Sequence, residues 1–523
     1  MISFSVLQAN LQVHWLTGVL VNVFLWLAAI LVRRLFFSPL SKFPGPKVAA
    51  ATGLYEAYYD VIQEGQYTFK IKELHKKYGT KPQEGPIVRI SPNELHVNDP
   101  DFYATLFSTN APRNKFPFYV DQFALPGSGF STIDHYHHRL RRQPLSPFFS
   151  KKSVQRLEPR ISQMIEKLCS RIDEFKRSGQ PVPMRLAYSC MTTDLITLYA
   201  FDAHSKHLDD KDFSPEWNKT IGSVTALGNT MKQIPWVYTM VDFLPDSVVA
   251  ALSSDMARLI DWQNGLRRLV RDAIAEHDSK AEKPGVAEDG FEVERQDKNI
   301  FQSLLDSSLP AEEKTVERLR QEAQLVVGAG SDTVANVLTV TTFHLLANAE
   351  KLAKLVQELE KAMLDPKTPA KLGDVENLPY LSAVVQEGLR LAYGLCTRLQ
   401  RISPDEDLQF REWSIPAGTP VGMTSVLMHH DESIYPNSYD FIPERWIDNP
   451  KLDRYLVTFS KGSRMCIGMN LARAEIYLTL ATIFRRYKVE LFDTIRERDI
   501  DLKYDHFLPY PSKESRGVRA IFK

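Results

Sequence analysis

One cysteine, Cys466, lies in the stretch FSKGSRMCIG (Phe459–Gly468), framed by two glycines, an arginine and a leading aromatic. The residues that follow, MNLARAEIYLTLATIFRRY, place Leu471, Ala474, Leu478 and Ala481 at spacings that share one helix face. Cys466 therefore sits just ahead of a helix N-terminus, where backbone N–H groups and the helix dipole favour an anion and should lower the thiol pKa. Gly462 and Gly468 would let the backbone turn tightly beneath a flat ligand. Arg464, two residues before the sulfur, is placed for an anionic group at that ligand's edge. A thiolate here is a nucleophile or a metal ligand. A nucleophile wants a histidine base, and no sequence pattern supplies one. Heme iron needs only one axial thiolate, because the porphyrin supplies four nitrogens. A buried structural cysteine is the bland alternative, and the flanking pattern argues against it.

Other residues carry possible chemistry. VVGAGSDTVANVLTVTTFHLL (Val326–Leu346) reads as a long apolar helix with a Gly-Ala-Gly-Ser-Asp-Thr patch. Gly328 and Gly330 weaken it by roughly 1 kcal/mol each and suggest a break. Asp332 is expensive in such a helix unless paired or solvated. The EGLR segment sets Glu387 and Arg390 three residues apart, a spacing that alone is worth only about 0.2–0.5 kcal/mol. HHRLRRQPLSPFFS (His137–Ser150) opens strongly basic, which by itself reads as a solvated face.

Together these residues resemble the cytochrome P450 family, and the resemblance covers nearly the whole chain. Phe459, Gly462, Arg464, Cys466 and Gly468 match the signature F-x-x-G-x-R-x-C-x-G. The resemblance implies heme b, with Cys466 as the axial thiolate ligand of the iron. It implies that Glu387 and Arg390 of E-x-x-R join Arg445 of PERW in a buried structural triad. Trp446 departs from the usual phenylalanine there. Ala329, Gly330, Asp332 and Thr333 are similar to the A-G-x-D-T element of the distal helix. Thr333 would hydrogen-bond dioxygen and Asp332 would relay protons. Val334 stands where a second hydroxyl is common. Aligned on W-x-x-x-R, His138 takes the tryptophan position and Arg142 the arginine, both as ligands of the heme propionates. Arg401 of TRLQRIS is the next propionate candidate, with Arg398 second, and Arg464 joins them.

The implied activity is that of a heme-thiolate monooxygenase acting on a lipophilic small molecule, on the pattern of fungal enzymes of secondary (for example terpenoid) metabolism. No flavin or iron–sulfur segment is fused to the chain, so electrons would come from NADPH through a separate cytochrome P450 reductase, with a cytochrome b5-type donor as a second partner. A peroxide-rearranging isomerase or dehydratase is the alternative within the fold, and Asp332 with Thr333 argues against it. A non-catalytic heme sensor is the alternative outside catalysis. Substrate contacts would come from Lys115–Phe130, Ile234–Pro245 and Tyr393–Thr397.

The elements that must position these groups are mostly helices. From Ser153 onward the apolar spacing is helical, with a strand pair in GPIVRISPNELHVN and short strands returning at Leu408–Gly422 around a turn at Pro416–Gly418. The fold class expected is α+β, predominantly helical with small sheets. Glu276–Asn299 is charged, carries Pro284, Gly285 and Gly290, and reads as an exposed loop. Lys plus Arg and Asp plus Glu both number 64 in 523 residues, so no basic face points to nucleic acid. Four scattered cysteines without a C-x-x-C pair exclude a disulfide framework or a zinc or iron–sulfur cluster and fit a reducing compartment.

The N-terminus differs. Met1 to Val32 contains no Asp, Glu, Lys or Arg, and Val13–Val32 has about the length that crosses roughly 30 Å of hydrocarbon. Arg33 and Arg34 follow at once and place the body on the cytoplasmic side. We expect a single-pass anchor at 1–34 in the endoplasmic reticulum membrane, a proline-rich connector at 35–50 and a catalytic domain at 51–523.

Overall fold

The computed structural model describes residues 2–79, 86–123, 125–237, 240, 243–282 and 299–523. The helices that matter here are α1 (Ile2–Val32), α2 (His135–Arg142), α3 (Lys151–Ser178), α4 (Met184–Phe201), α5 (Pro215–Met231), α6 (Ser254–Glu282), α7 (Val316–Leu346), α8 (Ala349–Ala362), α9 (Pro379–Leu391) and α10 (Met469–Arg486). The largest core cluster is built where α3, α4, α7, α9 and α10 meet. Helix α7 runs through its centre without interruption, so the break suggested by Gly328 and Gly330 does not occur. Tertiary packing overrides propensity there. A Cβ on Gly330 would come within 2.6 Å of Ile196 Cγ1 on α4, so the glycine permits close approach of two helices. Gly388 does the same on α9, where a Cβ would collide with Thr341 Oγ1 of α7.

Among the described residues, four small sheets lie at the edges. Strands β1 (Ile87–Arg89) and β2 (Leu95–Val97) pair antiparallel, as the sequence suggests. They join β4 (Arg401–Ile402) and β7 (Pro420–Gly422) in the order β1-β2-β7-β4. A bridge from Asn114 to Ile402 extends this sheet beyond β4. The others are β3 (Val182–Pro183) with β8 (Val489–Leu491) and β11 (Arg519–Phe522), the hairpin of β5 (Leu408–Phe410) and β6 (Trp413–Ile415), and the pair β9 (Tyr504–His506) and β10 (Leu508–Tyr510). The expected turn between β6 and β7 forms, with Gly418 at φ +79° and Thr419 N–H donating to Pro416 O at 3.2 Å.

One expectation needs correction. Residues 276–282 of the proposed loop are the last turns of α6, and 283–298 lie outside the described residues. The connector is seated on the body of the protein. Leu40 and Phe43 are buried in the cluster around the first sheet, and Phe43 stacks on Trp413 with centroids 4.8 Å apart. Arg34 Nη1 donates to Ala51 O at 2.8 Å, and Arg89 Nη1 donates to Arg34 O at 3.0 Å. Upstream, α1 starts at Ile2, earlier than residue 13. The 24-residue stretch His14–Phe37 is long and apolar enough to cross a membrane, and none of it is buried in the protein.

Candidate active site

The Cys466 loop is fixed from both ends. Cys466 N–H donates to Phe459 O at 2.9 Å, and Ser463 N–H to Ser108 O at 3.3 Å. Gly462 has φ +75°, and a Cβ there would collide with the Phe107 carbonyl, so both conformation and space demand glycine. Gly468 is different. Its φ of −82° suits any residue, and its contribution is room beside sulfur, with a Cβ position 4.0 Å from Cys466 Sγ. Phe459 packs partly buried against the main core.

Cys466 is exposed, and the protein packed around it still desolvates the thiol. Burial raises its pKa, only partly offset by the Gly468 N–H and the charge of Arg142. The expected lowering at a helix N-terminus is thus reversed, because desolvation outweighs the helix dipole. The chain's other cysteines are buried. Cys396 donates its S–H to Asp505 Oδ1 at 3.2 Å and is a structural thiol.

Around this loop several cations converge, and the Asp134 carboxylate offsets part of the Arg464 charge. Arg142 Nη1 donates to Met465 O at 2.7 Å. Arg464 donates to the carbonyls of Arg113, Thr132, Ile133 and Asp134 at 2.6–3.2 Å, so four of its five N–H groups are engaged. Arg401 donates through Nη1 to Leu399 O and Gln400 O and lies over the Phe107 ring. Arg398 is engaged elsewhere, buried between Glu56 Oε1 at 2.6 Å and Glu94 Oε1 at 3.0 Å. A residue missed in the sequence joins the group: Lys115, assigned there only to a substrate loop. Burial and the Arg401 and Arg464 charges drive its pKa well down. His138 is buried and neutral, its pKa lowered to about 2 by burial and then by Arg464, Lys115, Arg142 and Arg401. Burial brings Arg401 down to about 10, and burial followed by the Arg401 charge brings Arg464 down to about 9.

Among the described residues none of Arg142, Arg401, Arg464 or Lys115 forms an ion pair. Buried like charges without counter-ions are unfavourable, so the set fits a ligand that carries carboxylates. A dicarboxylate macrocycle whose metal takes a thiolate meets that demand.

Helix α7 presents Ala329 as an exposed residue between buried Val327 and Ser331, and Thr333 is half-buried. Thr333 Oγ1 donates to Ala329 O at 2.8 Å. Asp332 is 3 % exposed and paired, its Oδ2 accepting from Arg185 Nη2 of α4 at 2.7 Å. Arg185 Nη1 also donates to Asn336 Oδ1 at 3.4 Å. A cavity of about 70 Å³ reaches Arg185, Asn336 and Thr339, room for about two waters at roughly 30 Å³ each.

Glu387 is fully buried. Its carboxylate accepts from Arg390 Nε and Nη2 at 2.8 and 2.7 Å, Arg445 Nε at 3.2 Å and Ile442 N–H at 2.9 Å. Trp446 adds a fifth donor, with Nε1 2.9 Å from Glu387 Oε2. The departure from phenylalanine therefore has a physical use. Of the substrate segments, Tyr393, Cys396 and Thr397 are buried, whereas Trp236, Met240 and Phe243 are exposed. Positions 238, 239, 241 and 242 lie outside the described residues.

An exposed thiol, a cluster of cations without ion pairs among the described residues and a helix carrying an acid and an alcohol are features that an anionic metal macrocycle would need. The family model for cytochrome P450 matches residues 54–513. The chain belongs to the cytochrome P450 family and is an oxidoreductase of the monooxygenase type. It is 50% identical over 509 residues to a cytochrome P450 monooxygenase of Ascocoryne sarcoides, covering 96% of this chain and 97% of that protein. A tryptophan 6-hydroxylase of Fusarium equiseti is 42% identical over 510 residues, with 96% of each chain covered. An N-acetyltryptophan 6-hydroxylase of Emericella nidulans is 38% identical over 507 residues, with 95% of each covered. The family uses a heme-thiolate centre, a redox partner and a small-molecule substrate.

Proposed function

We propose that Cys466 is the axial ligand of heme b, that His138, Arg142, Arg401 and Arg464 receive its propionates, and that the enzyme hydroxylates a lipophilic small molecule of secondary metabolism. The observation that supports this reading most is the cluster of unpaired cations beside an exposed, desolvated thiol. Heme with a thiolate ligand supplies the electron push that favours O–O cleavage. The balance is one substrate C–H, dioxygen, NADPH and a proton in, and one C–OH, water and NADP⁺ out. A membrane-held NADPH reductase would deliver the electrons, with a cytochrome b5-type protein as a second donor.

The chain's own residues handle the protons. Thr333 holds its hydroxyl toward the accessible Ala329 face of α7 and can turn its donor from the helix carbonyl to a ligand oxygen. Asp332 can pass a proton toward Thr333 once its bond to Arg185 loosens, and the cavity at Arg185 and Asn336 has space for the waters that would reload it. Gly468 N–H and Arg142 stabilise negative charge on sulfur. The exposed apolar helix α1 would anchor the enzyme in the endoplasmic reticulum membrane with its body in the cytoplasm.

Phe123, Phe130 and Phe507 form an aromatic cluster with centroids 4.9–6.1 Å apart. Flat, ring-bearing substrates suit such walls. The names of the two tryptophan-hydroxylating relatives add indoles to a terpenoid panel. Co-expression with a reductase, feeding of both classes and product analysis tests the assignment. NADPH-dependent hydroxylation supports it. Turnover of a peroxide without reductase, with no NADPH-dependent product, would replace it by the isomerase reading.

A further inference from the structure

Between Gly18 and Val32 only Asn22 and Trp26 carry a polar side-chain atom. Asn22 is exposed on α1 and falls at the middle of the apolar run 13–32, about 14 Å from one end and about 15 Å from the other at about 1.5 Å per residue. Its Nδ2 donates one N–H to Gly18 O at 2.8 Å. The second N–H and Oδ1 have no partner among the described residues. An amide offers two donors and an oxygen with two lone pairs, so most of its capacity is unused. Hydrocarbon holds no water to take it up.

The face around Asn22 is shaped for another helix. Trp15, Gly18, Asn22, Leu25, Ala29 and Val32 follow one another at steps of 3, 4, 3, 4 and 3, the repeat of a left-handed helix pair. All six are exposed. Gly18, one turn before Asn22, leaves a space that this chain does not use: a Cβ there would meet nothing within 4 Å. Gly330 and Gly388, by contrast, make room for neighbours within the fold. Small residues let two membrane helices approach closely, and an amide among them supplies hydrogen bonds between the helices. Symmetry selects the occupant. Two copies anchored in the same orientation carry Asn22 at the same depth. Each amide is donor and acceptor at once, so two identical groups complete each other. A helix of a different protein would need a matching polar group at that one depth.

We propose that α1 pairs with α1 of a second copy in the membrane along this seam, through reciprocal hydrogen bonds between the two Asn22 amides. The pairing rests on the reading of α1 as a membrane anchor and is independent of the heme site. Apolar packing alone draws helices together weakly in lipid, because acyl chains compete for the same contacts. The Asn22 pair therefore sets the strength of the association. It also sets the register, as one polar residue at a core position of a helix pair does.

The test uses full-length holoprotein in liposomes at a low, fixed protein-to-lipid ratio, with copies labelled at the C-terminus by an energy-transfer donor or acceptor. Wild type should show transfer that unlabelled wild type competes away. The apparent dissociation constant should rise about tenfold in Asn22→Leu, the scale of a hydrogen bond between helices in a bilayer. Asn22→Gln keeps the amide and should stay near wild type. Gly18→Leu fills the close-approach position and should also weaken pairing, whereas Leu20→Ala, on the opposite face of α1, should not. Equal transfer in wild type and Asn22→Leu would overturn the proposal. So would the absence of competable transfer in wild-type protein that floats with the vesicles, and a helix of another protein would then be the occupant. Protein that does not float with vesicles would sink the anchor reading and the pairing with it, so the two failures are distinct.

Discussion

Single residues decide the chemistry. Cys466→Ala should remove the thiolate-type band of the reduced carbon monoxide complex, and its persistence would disprove the ligand assignment. Because burial raises the Cys466 pKa, the thiol is protonated at neutral pH without metal and must release a proton when iron binds. Heme affinity should therefore rise with pH through neutrality, readable by titration at fixed heme. Thr333→Ala should uncouple NADPH use from product and release peroxide. Arg185→Leu tests the acid. It leaves the Asp332 carboxylate buried and unpaired, so the product-forming rate should drop by about tenfold or more while the carbon monoxide band stays. Equal coupling and rate in both variants would remove this pair from the proton path.

At the scale of elements, the crossings of α7 with α4 and α9 and the five donors around Glu387 hold the site together. Trp446→Phe keeps the ring and removes one donor from a buried carboxylate, so it should cost about 1–3 kcal/mol of stability, measurable by denaturant unfolding. Gly388→Ala should cost at least as much, since its methyl would meet Thr341. These elements were legible to different degrees. The helix after Cys466 and the paired strands near the N-terminus could be read because periodicity and turn residues are local signals. The alignment of Glu387 with Arg390 is equally local. The Lys115 cluster could not be read, because it joins residues from four distant segments and only packing shows that they form no ion pair among the described residues. Arg398 and Arg401 look equivalent in sequence. Glu56 and Glu94, hundreds of residues away, are what separate them. The reversed thiol pKa had the same origin, since burial is a property of the assembled fold.

For the molecule as a whole, acid is the expected weakness. His75, His344 and His429 are neutral in the fold, with pKa values brought down by burial to about 3, and His430 to about 2. Their ordinary value is about 6.5, so on unfolding each takes up a proton below that pH. Stability linked to them is fully present above about pH 6.5 and is lost as pH falls, by about 1.4 kcal/mol per unit for each group. His429 Nε2 accepts from Val457 N–H at 3.1 Å, just ahead of the Cys466 loop, so thermal melts should show the loss together with heme release. Deleting residues 1–34 should free the protein from membranes and leave it folded. Deleting 1–45 should destabilise it by several kcal/mol, because Leu40 and Phe43 go too. That seated strap has a consequence for encounter geometry. A body swinging on a loose leash would sample many attitudes above a bilayer. Anchored by α1 and clamped through Arg34, Leu40 and Phe43, the body would keep a single tilt and would show a membrane-held electron donor the same side at every collision. Turnover then depends on an angle set within residues 33–43, and a glycine–serine insertion there should slow reduction of the iron without altering its spectrum.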